Sequence, residues 1–294
     1  MSQAIDLRED YSAWVSRSET QTDTASRFAA TGLAAVLDHR IGPDLDVGFR
    51  LFPLAHWLQF PPTATMSELG ADGHPKLGGF MPPLPLPRRM WAGSKIAFHS
   101  PILVGQQLSR TTTIESITPK HGSSGRLCFV GLRHDVSADG ISALTEHQTI
   151  VYREAAEADP AAPSPRRPPR ADTPAPEGWD WSRVKRVDEV TLFRYSALTF
   201  NSHRIHYDLP YATEIEGYPG LVVHGPLSAT LMMDSFLTEH PGSRLTKFEF
   251  STRSPVFVNE HVHIVGRAAA DGTEELAVIA SGGQAAVTAR ISFR

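Results

Sequence analysis

Polar and apolar residues alternate with a period of two at several places along the chain. In Leu245-Thr-Lys-Phe-Glu-Phe250, Lys247 and Glu249 interleave with Phe248 and Phe250, and 262–266 and 286–293 repeat the pattern after turn signals at Asp271-Gly272 and Gly282-Gly283. A period of two places one face of each segment on a core and predicts antiparallel strands joined by tight turns. The first half carries the same style at 110–117, 125–136 and 142–153, with His121-Gly122 and Asp139-Gly140 as turn candidates. A similar sheet is expected there.

A different pattern begins after Gly225. Pro226 suits a first helical turn, and Leu227, Leu231, Met232, Met233, Phe236 and Leu237 cover much of a helix circumference, so that helix is expected to be buried on most sides. Between the halves, 155–178 is dominated by Pro and Ala with scattered charges, a composition that favours extended linker structure over a packed core. Ser100-Pro-Ile-Leu-Val-Gly105 also aligns with Ser254-Pro-Val-Phe-Val-Asn259, each introducing strand-rich sequence. These features predict a duplicated α+β unit: a domain over 1–154, a linker over 155–178 and a second domain over 179–294. A long apolar helix followed by antiparallel strands suggests a sheet curled around a helix, so the expected fold is a double hot-dog with each sheet wrapped around a central helix.

Composition narrows the class. At 294 residues, 41% hydrophobic and 20% charged, the chain can bury a sizeable core. No run approaches the roughly 18 apolar residues of a membrane span, and the charged, polar N-terminus does not resemble a secretory signal. A soluble, cytoplasmic protein with no membrane partner is expected. The single Cys128, in an apolar setting, reads as a buried thiol and supports no disulfide framework. A net charge of −4 argues against a nucleic-acid partner, and the densest basic cluster, Arg166, Arg167 and Arg170, lies among prolines of the linker.

Chemistry concentrates in Tyr195–Ala212 and Gly217–Leu227, where Asn201, His203, Arg204, His206, Asp208 and His224 lead into the apolar helix. This stretch resembles the MaoC-like family of R-specific enoyl-CoA hydratases and 3-hydroxyacyl-thioester dehydratases. The family motif runs Ser-Gly-Asp-x-Asn-Pro-Ile/Leu-His-x-Asp, followed later by His-Gly at a central helix. Ile205, His206 and Asp208 match its end, and His224 and Gly225 match the His-Gly pair. Asn201 occupies the family's catalytic Asp position, Phe200 replaces the preceding Gly, and His203-Arg204 replaces Asn-Pro. These departures resemble the subgroup of mitochondrial type 2 hydroxyacyl-thioester dehydratases and bacterial itaconyl-CoA or mesaconyl-CoA hydratases. The resemblance is specific over about 196–226 and weaker elsewhere. It implies an acyl-CoA thioester substrate, with short branched dicarboxylic acyl groups among the candidates.

Adding water across an α,β-unsaturated thioester requires a base for the water, a proton for the α-carbon and donors for the charge developing on the thioester oxygen. The imidazole of His206 can exchange protons near neutral pH. The Gly225 amide, at a helix N-terminus, is a candidate oxyanion donor, whereas Pro226 has no N–H to give. Asn201 cannot titrate there and is expected to orient the water. The thioester itself supplies the electron-withdrawing group, so no cofactor is expected.

Other readings stand beside these. His203 and His206 are spaced for a metal, but two imidazoles without a third ligand are weak evidence, and no metal is expected. His203 and His224 are candidate substrate contacts, though His224 also reads as a structural residue at the helix entrance. Asp208 is expected to support the His206 loop. Arg204 is either a solvated charge or a reader of a substrate carboxylate or CoA phosphate. In the first half the repeat maps Asn201, His206 and Gly225 onto Val47, Phe52 and Ala71, so a degenerate site is expected there. His56 and His74 read as ordinary structural or surface residues, and the Pro-rich 78–91 as a candidate tunnel lining. A hot-dog thioesterase and a noncatalytic acyl-CoA-binding module are the competing functions. Two fused units would make one pseudo-dimer, with a homodimer of such chains left open.

Overall fold

The computed structural model describes residues 10–40, 48–122, 125–154 and 174–294. The period-two segments form strands, and the strands pair in two matching sets. The first half contributes β1 (Ser18–Thr24), β2 (Arg88–Phe98), β3 (Gln107–Gly122), β4 (Gly125–Ala138) and β5 (Ile141–Arg153). The second contributes β6 (Trp181–Arg186), β7 (Leu245–Thr252), β8 (His261–Ala268), β9 (Glu274–Ile279) and β10 (Ala285–Phe293). Their spatial order is β1-β3-β4-β5-β2-β7-β10-β9-β8-β6, so each half repeats the other strand for strand outward from the centre. The halves join through antiparallel β2 and β7, from Gly93 opposite Ser251 to Ala97 opposite Lys247. The two sheets expected from the sequence are therefore one continuous ten-stranded sheet, with no edge exposed at the join.

The turn signals fall where strands reverse. Asp139 and Gly140 both take positive φ between β4 and β5, and Gly272 and Gly283 do so in the next two hairpins of the second half, the conformation tight hairpin turns demand. The aligned hexapeptides occupy equivalent connections, β2 to β3 and β7 to β8.

Two capped helices flank the sheet. α1 (Arg27–Val36) begins at Ser26, whose hydroxyl accepts the Ala29 amide, and α2 (Glu189–Thr199) begins at Asp188, whose carboxylate accepts the Thr191 amide. They pack together at Gly32, where a Cβ would stand 2.4 Å from Leu198 Cδ2.

The third helix, α3 (Gly225–Glu239), has Pro226 in its first turn and is buried without interruption from Leu227 to Phe236. Phe248, Phe250, Ile264, Leu276, Val278, Val287 and Ile291 belong to the same core. Each large side chain buried there contributes about 1.5–3 kcal/mol, which explains an apolar helix without an amphipathic stripe. This is the helix of a hot-dog, and the molecule is an α+β double hot-dog.

The halves differ at the matching place in the first unit. The Leu51 amide bonds the Ile102 carbonyl as the Val223 amide bonds that of Val256, so Phe52 and Pro53 stand where His224 and Gly225 stand in the second half. Beyond them the chain makes a short 3₁₀ turn, Ala55–Leu58, rather than a long helix. Pro61 and Pro62 explain the stop, because proline lacks the amide a helix needs and disfavours helical backbone in the residue before it. Phe60 accordingly takes φ +55°. Trp57, Trp91 and Phe250 pack edge to face in this region, beside the buried pair His56 and Glu146, 3.0 Å apart. Burial alone would push the Glu146 carboxyl up, but hydrogen bonding to His56 and the charges of His56 and His134 hold it down at about 2.

Cys128 is fully buried and burial pushes its thiol up to about 11, as expected for an inert core thiol. Residues 155–173 of the expected linker lie outside the described residues. No helix among the described residues is long and apolar enough to cross a membrane.

Candidate active site

The dense polar segment begins where α2 ends. Phe200 caps that helix in the left-handed region at φ +48°, ψ +37°, the conformation for which glycine is preferred, and this explains why the resemblance places Gly here. The reversal directs Asn201 away from the helix, with its amide bonded to the Ser196 carbonyl at 2.9 Å. Asn201 Oδ1 accepts the His203 amide at 3.0 Å, which leaves its NH₂ as the group available to donate.

A 3₁₀ turn, Arg204–His206, carries the next group. It is fastened to the strand-like segment before α3, where the Val222 amide bonds the Ile205 carbonyl at 3.0 Å and His206 Nδ1 lies 2.7 Å from the Val222 carbonyl. A carbonyl only accepts, so Nδ1 carries the hydrogen and Nε2 carries the lone pair. His206 is 7% exposed. Burial lowers its pKa to about 4, outweighing the Val222 bond that raises it, so the ring is neutral near pH 7.

His224 lies behind His206, the two rings stacked with centroids 3.6 Å apart and planes at 22°. It is 2% exposed, and its Nε2 meets the Ser196 hydroxyl at 2.9 Å. Burial first, and then the charges of His206 and His203, depress its basicity. Gly225 comes next, as the first residue of α3. The opening amides of a helix lack intrahelical acceptors, and Pro226 has no amide hydrogen, so Gly225 is a candidate donor at this turn. A Cβ on Gly225 would come 3.4 Å from Thr252 Oγ1 and 3.8 Å from the Trp91 carbonyl oxygen.

All seven residues singled out in the sequence fall in one neighbourhood, with unequal access to the cleft. Asn201, His203, Arg204, His206, His224 and Gly225 line a cleft of about 1370 Å³. Asp208 stands outside it: one carboxylate oxygen accepts Arg204 Nε at 2.9 Å and a terminal nitrogen at 2.7 Å, while the other accepts the Tyr211 amide at 3.1 Å. The remaining Arg204 nitrogen donates to the Ala71 carbonyl at 3.1 Å, and the guanidinium stacks 4.2 Å over Tyr211. Arg204 is thus held by Asp208, Ala71 and Tyr211 while 37% of its side chain stays exposed.

The first half completes the cleft with the end of the expected tunnel segment and with a loop to which the sequence assigned no cleft role. Gly73 packs so closely on Ser202 that a Cβ would fall 1.9 Å from its carbonyl oxygen, while the Ser202 hydroxyl donates to the Gly73 carbonyl. This contact brings His74, read from sequence as an ordinary histidine, to a centroid distance of 4.1 Å from His203, which is 5.4 Å from His206. Asp72 holds His74 Nδ1 at 2.9 Å. Arg89, Met90 and Trp91 of β2 line the same cleft. The rest of the Pro-rich 78–91 segment does not: Leu84 and Leu86 are buried in a separate core beneath β3 to β5. The one signal for the loop was its run of turn-forming residues, Gly70-Ala-Asp-Gly-His-Pro75.

Asp72, His74 and His203 have ligand atoms within 4.8 Å of one another, a spacing compatible with a metal ion. The positive charge of Arg89 acts on all three groups, which disfavours a cation. Burial lowers His74 to about 4 and drives His203 lower still. The cleft therefore offers a neutral imidazole with a free Nε2, a side-chain amide, a helix-end N–H and the cation of Arg89. Such a set can activate water, return a proton and stabilise an oxyanion.

The family model for hydroxyacyl-thioester dehydratase type 2 matches residues 54–258. Over 250 residues the chain is 45% identical to the mesaconyl-C(4)-CoA hydratase of Chloroflexus aurantiacus, covering 84% of this chain and 85% of that protein. Over 239 residues it is 30% identical to the mitochondrial hydroxyacyl-thioester dehydratase type 2 of Schizosaccharomyces pombe, covering 73% and 77% respectively. Among solved structures, a MaoC-like dehydratase from Phytophthora capsici superimposes with a TM-score of 0.67 at 15% identity, over 95% of this chain and 96% of that one.

Proposed function

The chain belongs to the hydroxyacyl-thioester dehydratase type 2 family, and from that premise we propose that it reversibly hydrates an α,β-unsaturated acyl-CoA, with His206 as the acid–base group. Its reaction is that of a hydro-lyase. The observation that carries the catalytic assignment is the Nδ1 bond of His206 to Val222, 2.7 Å long, which leaves Nε2 as a lone pair.

In this mechanism His206 Nε2 takes a proton from water as the oxygen adds to the β-carbon. Asn201 holds that water through its NH₂ group. Electron density moves through the α-carbon onto the thioester oxygen, where the Gly225 amide and the N-terminal end of α3 stabilise it. His206 then delivers its proton to the α-carbon as the oxyanion collapses, and dehydration runs the same steps backwards. His224 supports the His206 ring from behind, and Asp208 holds Arg204 and the turn. The first half, whose Phe52 and Pro53 replace the His-Gly pair, supplies cleft wall rather than a second catalytic centre.

For the acyl group we propose a short branched dicarboxylic thioester of the mesaconyl type, on the strength of the 45% identity to the Chloroflexus enzyme. The test is loss of the conjugated enoyl-thioester absorbance with crotonyl-CoA, itaconyl-CoA and mesaconyl-C4-CoA, with free thiol monitored in the same reactions. Absorbance loss without thiol release supports hydration and ranks the substrates. Thiol release would transfer the site to thioester hydrolysis.

A further inference from the structure

β2 begins with adjacent arginines that take opposite sides of the strand. Arg88 is 6% exposed, with Nε 2.8 Å from Glu216 Oε2 and a terminal nitrogen on the carbonyls of Ile215 and Glu216 at 3.2 and 2.7 Å. That guanidinium is satisfied by protein. Arg89 lines the cleft instead and is partly buried. Among the described residues no carboxylate comes within ion-pair distance of it, whereas Arg204, the other arginine of the cleft, is ion-paired with Asp208 and also donates to the Ala71 carbonyl.

Arg89 lines the same cleft as Asn201, His206 and Gly225, the groups of the proposed chemistry. Its charge is felt at Asp72, His74 and His203, and the His203 ring centroid is 5.4 Å from that of His206. A purely hydrocarbon acyl chain would give the partly desolvated guanidinium no ion-pair partner. A free carboxylate near the reacting double bond would instead meet a planar fork of donors made for it.

We propose that Arg89 is the specificity-determining residue that binds the free carboxylate of a dicarboxylic acyl thioester, with His74 and His203 forming the neutral wall of that subsite. The assignment rests on the hydratase reading of the cleft. It moves carboxylate recognition from Arg204, the candidate that the sequence offered, to the first half of the chain. Arg204 also lines the cleft, but its charge is already paired with Asp208.

The test compares kcat/KM for mesaconyl-C4-CoA and crotonyl-CoA in wild type, Arg89→Gln and Arg89→Lys. Arg89→Gln is expected to lower the ratio of dicarboxylic to uncharged substrate by about 30- to 100-fold, the scale of one charge-assisted pair, with Arg89→Lys recovering part of it. The thioester of the corresponding monoamide, neutral and of the same shape, should be discriminated against by wild type and not by Arg89→Gln. An unchanged ratio, or an equal fall for both substrates, overturns the carboxylate assignment while leaving hydration standing. A wild type that hydrates neither thioester overturns the hydratase reading and the assignment with it.

Discussion

His206 Nδ1 lies 2.7 Å from the carbonyl oxygen of Val222, and this contact fixes which nitrogen of the ring can act as a base. It also couples two segments the motif keeps apart, the 3₁₀ turn after α2 and the entry to α3, so the base and the helix-end amide share one rigid frame. Burial holds the ring neutral by lowering its pKa to about 4.

That shift sets the pH dependence. The active form is the unprotonated ring, so kcat/KM is expected to hold as pH falls through the ordinary histidine range and to decline only as pH approaches about 4. A rate profile with its acid limb near pH 6.5, where an unperturbed imidazole titrates, would contradict the buried-base account.

Stability should respond in the same direction. His74, His203, His206 and His224 all have depressed basicity when folded. Below about pH 6.5 the unfolded chain takes up protons that the folded chain does not, so stability present above that pH is lost as pH falls towards the folded values. Each group contributes up to about 1.4 kcal/mol per pH unit in that window. Urea midpoints measured from pH 7 down to 5 should fall, and a flat series would contradict the linkage.

Gly73→Ala tests the junction between the halves. The new Cβ would sit 1.9 Å from the Ser202 carbonyl, at a residue with φ +87°, so backbone must move. A stability loss of about 2 kcal/mol or more is expected, with at least about a tenfold fall in kcat/KM from displacement of Asn201 and His203. Thermal unfolding and steady-state kinetics on the same preparation check both.

Gly225→Ala separates chemistry from folding. Its Cβ would meet nothing nearer than Thr252 Oγ1 at 3.4 Å, so the unfolding midpoint should change little. Crowding the oxyanion position should lower kcat/KM by about tenfold or more. Wild-type kinetics in this variant would remove Gly225 from the mechanism.

The clustering of the second-half candidate residues was legible because they are close in sequence. Asn201 to Asp208 and His224-Gly225 carry recognisable spacing, and the apolar run after Gly225 announces the buried helix. The first-half contribution was illegible for the converse reason. Gly73 meets Ser202, and His74 meets His203, across more than a hundred residues of chain, and neither pairing leaves a local pattern. The repeat misled in one respect. It aligns Ser100–Gly105 with Ser254–Asn259, but the chain before them keeps a different spacing, so the counterpart of Phe52 is His224 rather than His206. The missing first-half helix is explained by Pro61 and Pro62, visible in the sequence but read only through the pairing of the halves.

The most direct test of the central claim compares hydration by His206→Ala and Asn201→Asp on the best enoyl-thioester, with circular dichroism confirming the fold of each. Removing the base should lower kcat by about a hundredfold to ten-thousandfold. Asn201→Asp keeps an oxygen to accept the His203 amide and should retain measurable turnover. Comparable activity in the two variants would contradict the assignment of His206 as the proton-transferring group.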